Sequence, residues 1–355
     1  MTVIAFARAI AIALATGGAL LSSARPAAAQ SQPLPPISVH IAARTAFIHT
    51  DTDGAESSDE FVLDSVRLFL SGPVTNQITL TFNTEYDTVT NRVRVMDAIG
   101  RFEYSSGVNF WVGRFLPPSD RANLYGPYFS NHWAIFTDGI QDGYPFVSDG
   151  RANGAMYWGQ FGKVSLSGGV FDGKSMTPHT TLVEGGRVQV DFWDPEPGYY
   201  SSGTYYGAKN VLALGATGQV QGADNRAMSL DALVERKVGS GGAVTFEGEF
   251  ARYHRLGGYS ARYGMDQGGY ALAAYLLPMP SGPGRFQLLG KVARASFSEG
   301  ITPADPDYRQ TTTELNLNYI LKRFDARVMV FYLDTRFSAV RSDVKRIGVG
   351  IQLQK

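Results

Sequence analysis

From residue 38 to the C-terminus, apolar and polar side chains alternate in short runs of period two, the pattern of strands that present their two faces to different environments. In NQITLTFNTEYD, Ile78, Leu80, Phe82 and Tyr86 share one face, while Gln77, Thr79, Thr81, Asn83, Glu85 and Asp87 share the other. The same division recurs in GGRVQVDFW, GAVTFEGEF, TTTELNLNYIL and the closing RIGVGIQLQ. Sixteen segments of this type lie at about 38–48, 60–71, 75–87, 92–104, 108–115, 153–161, 163–172, 185–193, 210–221, 227–238, 243–254, 267–278, 284–297, 310–321, 324–335 and 345–354. An even number of antiparallel strands near ten residues long predicts an all-β fold, a transmembrane β-barrel, because a tilted strand of that length crosses the hydrocarbon of a bilayer. One segment departs from the pattern. FDARVMVFYLD, Phe324 to Asp334, is apolar on both faces and predicts a contact with another subunit or with a loop inside the barrel.

The connections sort by length. Short turns, such as SGP at 71–73, SSG at 105–107, GSGG at 239–242 and Lys322-Arg323, alternate with longer polar loops such as HTDTDGAESSD at 49–59 and HRLGGYSARYGMD at 254–266. With both termini on one side, the short turns fall on that side and the long loops on the other. Two connections break this rule: WDPEPGYYSSGTYYGAK, Trp193 to Lys209, is too long for its side, and QGADN, Gln221 to Asn225, is too short. A soluble exported β-sandwich that binds a ligand is the competing architecture, but it needs neither sixteen strands nor this asymmetry.

Composition narrows the chemistry. Gly (40), Tyr (18) and Phe (21) are abundant and only 18% of residues are charged, which suits strands and tight turns. Cysteine is absent, so thiol catalysis, disulfides and Cys-ligated zinc are excluded. An apolar segment with Arg8 precedes the run Ala27-Ala28-Ala29; residues 1–29 are expected to be a cleaved signal peptide and residues 30–355 the barrel domain. Removing Arg8 and Arg25 leaves 30 basic against 32 acidic residues, a balance that carries no nucleic-acid footprint.

The stretch VGRFLPPSDRANLYGPYF, Val112 to Phe129, opens as a strand and is stopped by Pro117 and Pro118. The next alternation begins about 35 residues later. Sixteen strands enclose a lumen too wide for side chains to fill, so a loop of this length is expected to fold inward and constrict it. Leu124, Tyr125, Tyr128, Phe129, Trp133, Ile135, Phe136 and Tyr144 supply apolar anchors. Arg114, Asp120, Arg121, Asp138, Asp142, Asp149 and Arg151 are the charged candidates at the constriction, and Arg44, Arg67, Arg187 and Arg346 those on the wall. Loop carboxylates opposite wall guanidiniums would set a transverse field across the channel.

Other motifs offer less. The five histidines lie in no metal-ligand spacing, and no cofactor is expected. Asn131-His132 falls within the long loop and lacks the strand serine that a barrel phospholipase would need. Asp51, Asp53, Glu56, Asp59 and Glu60 crowd one loop, where they form a solvated tip or capture a divalent cation near lipid phosphates. Gly348 and Gly350 sit within a strand and are expected to relieve crowding in the wall.

Taken in order, VGRFLPPSDRANLYGPYF, WDPEPGYYSSGTYYGAKNVLALG and RIGVGIQLQ resemble the phosphate-selective porin O and P family of bacterial outer membranes, over the whole mature chain. The resemblance implies a trimer of sixteen-stranded barrels, each with its own pore narrowed by the third outer loop. The implied partners are outer-membrane lipid, lipopolysaccharide, and small hydrophilic solutes or inorganic anions such as phosphate. The chain departs from the family in having only eight lysines, scattered from Lys163 to Lys355, and in ending Leu353-Gln354-Lys355 without a terminal aromatic. The competing activity is a barrel enzyme acting on lipids.

Overall fold

The computed structural model describes residues 36–87, 91–135, 137–139, 150–172, 182–256, 262–338 and 341–355. The expected signal segment, and Phe136, Asp142, Tyr144 and Asp149, lie outside them.

Sixteen strands are present among the described residues. In chain order β1 to β8 are Ser38–Thr52, Ser58–Pro73, Ile78–Asp87, Arg92–Ser105, Val108–Phe115, Ala152–Phe161, Val164–Phe171 and Val183–Asp191. Strands β9 to β16 are Val211–Gln221, Asn225–Val238, Gly242–His254, Tyr263–Leu276, Arg285–Gly300, Tyr308–Lys322, Ala326–Phe337 and Val344–Gln354. Each pairs antiparallel with its sequence neighbours, and β1 closes on β16 through pairs running from Ala42 with Gln354 to Thr52 with Val344. No free edge remains, so the ladder groups of every strand find partners within the wall, as a membrane-spanning sheet requires. The sandwich alternative is thereby overturned.

The polarity of the wall is that of a soluble protein turned inside out. Along β14, Gln310, Thr312, Glu314, Asn316 and Asn318 are buried in the lumen, whereas Leu315, Leu317 and Leu321 are exposed outside. Leu80, Phe246, Leu288, Val349 and Ile351 extend the exposed apolar belt. A period of two allows this, because one register places every leucine against lipid and every amide inside.

The end at which β1 begins and β16 finishes has the short turns, and two connections depart from this division, as the sequence already indicates. At the opposite end, β9 and β10 are joined by a tight turn that leaves Gln221 opposite Asn225. At the turn end, the connection from β8 to β9 is long and enters the barrel. The segment that is apolar on both faces is β15: its inward residues Met329, Phe331 and Leu333 pack against Trp133 and Ala134 of the long loop. Gly348 and Gly350 make the room. A Cβ on Gly350 would lie 2.5 Å from the Trp133 ring, and one on Gly348 2.4 Å from the Phe331 ring.

Closure without an edge predicts resistance to SDS. Unheated protein should run as a compact band and boiled protein as a slower one; identical mobility would rule out the closed barrel in detergent.

Candidate functional site

Residues 116–135, the described start of the long β5–β6 connection, lie inside the barrel. Two helical turns, α1 at Arg121–Phe129, are broken at Gly126, whose φ is 57°. Asp120 caps the first turn by accepting from the Asn123 N–H at 2.8 Å. Beyond Phe129 the chain is irregular, and irregular backbone away from water must find partners for its carbonyls.

Side chains of the wall, and Tyr199 of the β8–β9 connection, supply them. Tyr199 Oη donates to the Leu116 carbonyl (2.8 Å), Gln219 Nε2 to Pro118 (3.0 Å) and Arg187 Nη1 to Ser119 (3.1 Å). Arg44 serves both Pro127 and, at 2.7 Å, Trp133. Gln352 reaches Tyr128 at 2.9 Å, Arg327 reaches Ser130 at 2.6 Å, and Asn318 reaches Asn131 at 3.2 Å. Apolar contacts add to these bonds. Trp133 stacks on Phe331 with ring centroids 5.5 Å apart and carries the Arg44 guanidinium 4.1 Å above it.

The loop is charged on the side that faces away from the open lumen. Arg121, 0% exposed, forms a bidentate pair with Glu196, with Asp231 at 3.7 Å. Arg187 forms a bidentate pair with Asp231, one of its two bonds measuring 2.8 Å. Asp138, 1% exposed, meets Lys291 at 2.6 Å. Burial pushes the Glu196 carboxyl up, but the Arg121 charge and hydrogen bonds pull it further down, so it lies below the ordinary carboxylate range and stays ionised. Burial raises Asp120, and the Asn123 amides only partly offset this.

Asp120 is a helix cap, and Arg121 and Asp138 are neutralised in buried pairs against β8 to β13, so none of these three lines the open space on the other side of the loop, while Asp142 and Asp149 lie outside the described residues. Arg187 and Arg44 serve as loop tethers. Arg44 also meets Asp64 at 2.8 Å, because a bulge makes Asp64 the extra residue of β2 and aims it inward. Arg114 has the parity of the outward residues Val108 and Val112 and donates to the Val95 carbonyl. Phe129 is exposed, in contrast to the anchors Leu124, Tyr125, Tyr128, Trp133 and Ile135, which are buried.

Open space remains between the loop and the β1 to β5 wall. An outer chamber of about 330 Å³ and an inner one of about 560 Å³ share Arg67, Leu116, Asn123, Gly126 and Arg151, so these five residues stand between the two. Arg346 lines the outer chamber and Arg101 the inner one. Three of the guanidiniums have carboxylate partners on the wall: Arg67 on Glu85 (3.0 Å), Arg151 on Asp97 (2.8 Å) and Arg101 on Glu103 (2.7 Å). Between the two chambers, therefore, the charges sit on the wall and at the base of β6, while the described part of the loop offers Leu116, Asn123 and Gly126.

Of the residues expected at the site, Arg44, Arg67, Arg151 and Arg346 line the outer chamber, and Arg67 and Arg151 the inner one as well. Sequence reading missed Glu85, Asp97, Arg101, Asp231, Glu196 and Lys291. For all but Glu196, which lies in the β8–β9 connection, the signal was charge at lumen-facing positions of strands, which is costly to bury without a partner. His132 is buried in the lumen, its Nδ1 3.1 Å from Ser130 Oγ and its Nε2 3.2 Å from Lys291 Nζ. The acidic tip of the β1–β2 hairpin is exposed, and His49 there meets Asp59 at 2.7 Å.

No family model matches the chain, and no curated protein does. Solved structures match in fold. OmpT of Vibrio cholerae in its trimer form has a TM-score of 0.55 and 11% identity, with 90% of this chain and 100% of that chain covered. Salmonella typhi OmpF in complex with daunomycin has a TM-score of 0.59 and 13% identity, covering 90% and 97%. The anion-selective porin from Comamonas acidovorans has a TM-score of 0.56 and 13% identity, covering 90% and 99%. The fold is that of outer-membrane porins.

Removing one partner of a buried ion pair costs several kcal/mol. Asp138→Asn takes away the nearest carboxylate of Lys291 and is expected to cost about 3 kcal/mol, at the low end because the Lys291 charge also acts on Glu314. The temperature at which the compact SDS band is lost should fall, and the double variant Asp138→Leu with Lys291→Met should recover part of the loss. Equal stability of Asp138→Asn and the parent would show that the pair is no tether.

Proposed function

We propose that this chain is an outer-membrane porin, a passive channel for small hydrophilic solutes and ions with a weak preference for anions, phosphate among them. The observation that carries the reading is the pair of chambers beside the inward loop, which share Arg67 and Arg151 and are bordered by further guanidinium groups, Arg346 in the outer one and Arg101 in the inner one. The exposed apolar belt and the closed wall support a place in a bilayer. Trimeric assembly is part of the proposal and rests on the similar V. cholerae protein, which was solved as a trimer.

The weakness of the preference follows from the pairing. Arg67, Arg151 and Arg101 each share their field with a carboxylate, whereas no partner is seen for Arg346 among the described residues. Phosphate-specific capture would require several unshared donors converging on one point. A lipid-hydrolysing barrel needs its nucleophile on the outer wall. Here Ser130 and His132 are buried in the lumen, with the Ser130 hydroxyl accepting from the His132 N–H and donating to its carbonyl.

Planar-bilayer recording tests the proposal. Purified protein should form water-filled channels whose reversal potential in a dilute salt gradient lies toward the anion. Arg67→Gln with Arg151→Gln frees Glu85 and Asp97 and should move selectivity toward cations. A unit charge about 6 Å from an ion in water is worth about 0.7 kcal/mol, of opposite sign for anions and cations, so before screening the permeability ratio should change by up to roughly tenfold per site. The shift should shrink as salt rises. No channels would sink the porin reading; channels with unaltered selectivity in dilute salt would place the ion path elsewhere.

A further inference from the structure

The connection from Phe192 to Asn210 stands on the side of short turns, yet it is the longest there. Its base is pinned at the rim. The Phe192 N–H donates to the Leu212 carbonyl (2.7 Å), the Asp194 N–H to Asn210 (3.0 Å) and Lys209 Nζ to Pro195 (2.6 Å). Beyond this base the chain turns into the lumen and grips the inward loop at both ends of α1. At the start, Arg121 pairs with Glu196 and donates to the Ser202 carbonyl at 3.0 Å, while Tyr199 Oη reaches the Leu116 carbonyl. At the finish, the Gly203 N–H donates to the Phe129 carbonyl at 2.9 Å. Glu196 is itself held by Gln189 Nε2 (3.0 Å) and by the hydroxyl of Tyr205.

Two details tie the insert to the passage. Tyr200 is 43% exposed and lines the inner chamber with Ser201 and Ser202, within electrostatic reach of Asp97, Arg151, Arg101 and Arg67. Its ring packs against Trp111 and Tyr199, with centroids 5.8 and 5.2 Å away, so the phenol is braced instead of swinging freely. Gly203 lies against the loop backbone, where a Cβ would stand 2.9 Å from the Asn131 nitrogen. Only glycine permits this approach.

We propose that the β8–β9 connection is a second constriction element, entering from the turn end. It fixes how far the long loop stands from the β1 to β5 wall, with Glu196 as the positioning residue, and through Tyr200 it forms the last narrowing on the solute's path. Size selection is then set jointly by two segments from opposite ends of the barrel. The solutes that pass are those narrow enough to slide between a fixed phenol and the arginine-bearing wall. The inference rests on the porin reading and adds a specificity determinant to it.

The absence of cysteine makes the test clean, since Tyr200→Cys carries a single thiol. An anionic methanethiosulfonate applied from the turn-end side to open channels should cut single-channel current by about half or more, because it places bulk and charge in the narrowing. Full current after mass spectrometry has shown complete modification would overturn the role of Tyr200. Gly203→Ala separates insert from loop while leaving every strand intact. The compact SDS band should persist, and conductance or open-channel noise should rise roughly twofold as the loop loses its grip. A parent-like conductance and noise in that variant would overturn the positioning role. Parent protein that forms no channel at all would count against the porin reading itself, which separates the two failures.

Discussion

A polypeptide that folds into the lumen of a barrel carries its peptide carbonyls with it, and each must exchange water for another donor. That exchange governs the interior of this protein. Between Leu116 and Trp133, carbonyl after carbonyl is met by a side chain of the wall or of the β8–β9 connection, from Tyr199 and Gln219 at one end to Arg327, Asn318 and Arg44 at the other. The loop is therefore held by directional bonds together with apolar packing: Trp133 stacks on Phe331, Leu116 and Leu124 share a buried cluster with Trp111 and Phe171, and Tyr125 shares one with Tyr270. A loop held this way has one position. A loop resting on apolar packing alone could slide.

The same demand divides the lumen. Most of the donors that hold the loop, and the ion pairs that neutralise its described charges, lie on β8 to β16 or on the β8–β9 connection, with Arg44 of β1 the exception, and there Arg121, Glu196, Asp231 and Arg187 form one buried network. Burying charges in such a network costs desolvation that their mutual attraction must offset, so the network contributes specificity of position more than net stability. The passage opens on the other side, along β1 to β5, where the guanidiniums remain partly solvated and paired along the wall. Loop position, location of the passage and distribution of free charge thus share one cause.

The long connection at the turn end belongs to the same system. Its proline and glycine residues let it turn sharply at the rim, and its tyrosines carry hydroxyls that reach loop carbonyls and carboxylates while their rings pack against Trp111 and Phe324. Tyrosine suits this work because it combines a large apolar face with a single directed polar group.

Alternation alone determined the number of strands, their faces and the inward course of the long loop, because a period of two leaves one physical solution for each register and a wide lumen requires something within it. Arg67 and Arg346 could be assigned to the polar face for the same reason, and Arg151 only as a base of the long loop. What alternation does not encode is which inward charges meet. Asp231 lies 44 residues from Arg187 and 110 from Arg121, and Lys291 is farther still from Asp138, so their pairing depends on closure of the barrel and on where the loop comes to rest. Asp64 escaped reading because a bulge, invisible in the pattern, turns it inward, and Arg114 because a strand end looks alike from either face. The sequence by itself determined that a loop must fill this barrel; only the tertiary structure decided which of its charges are buried and which wall is left open to solutes, since a buried charge is chosen by its partner's position in space and not along the chain.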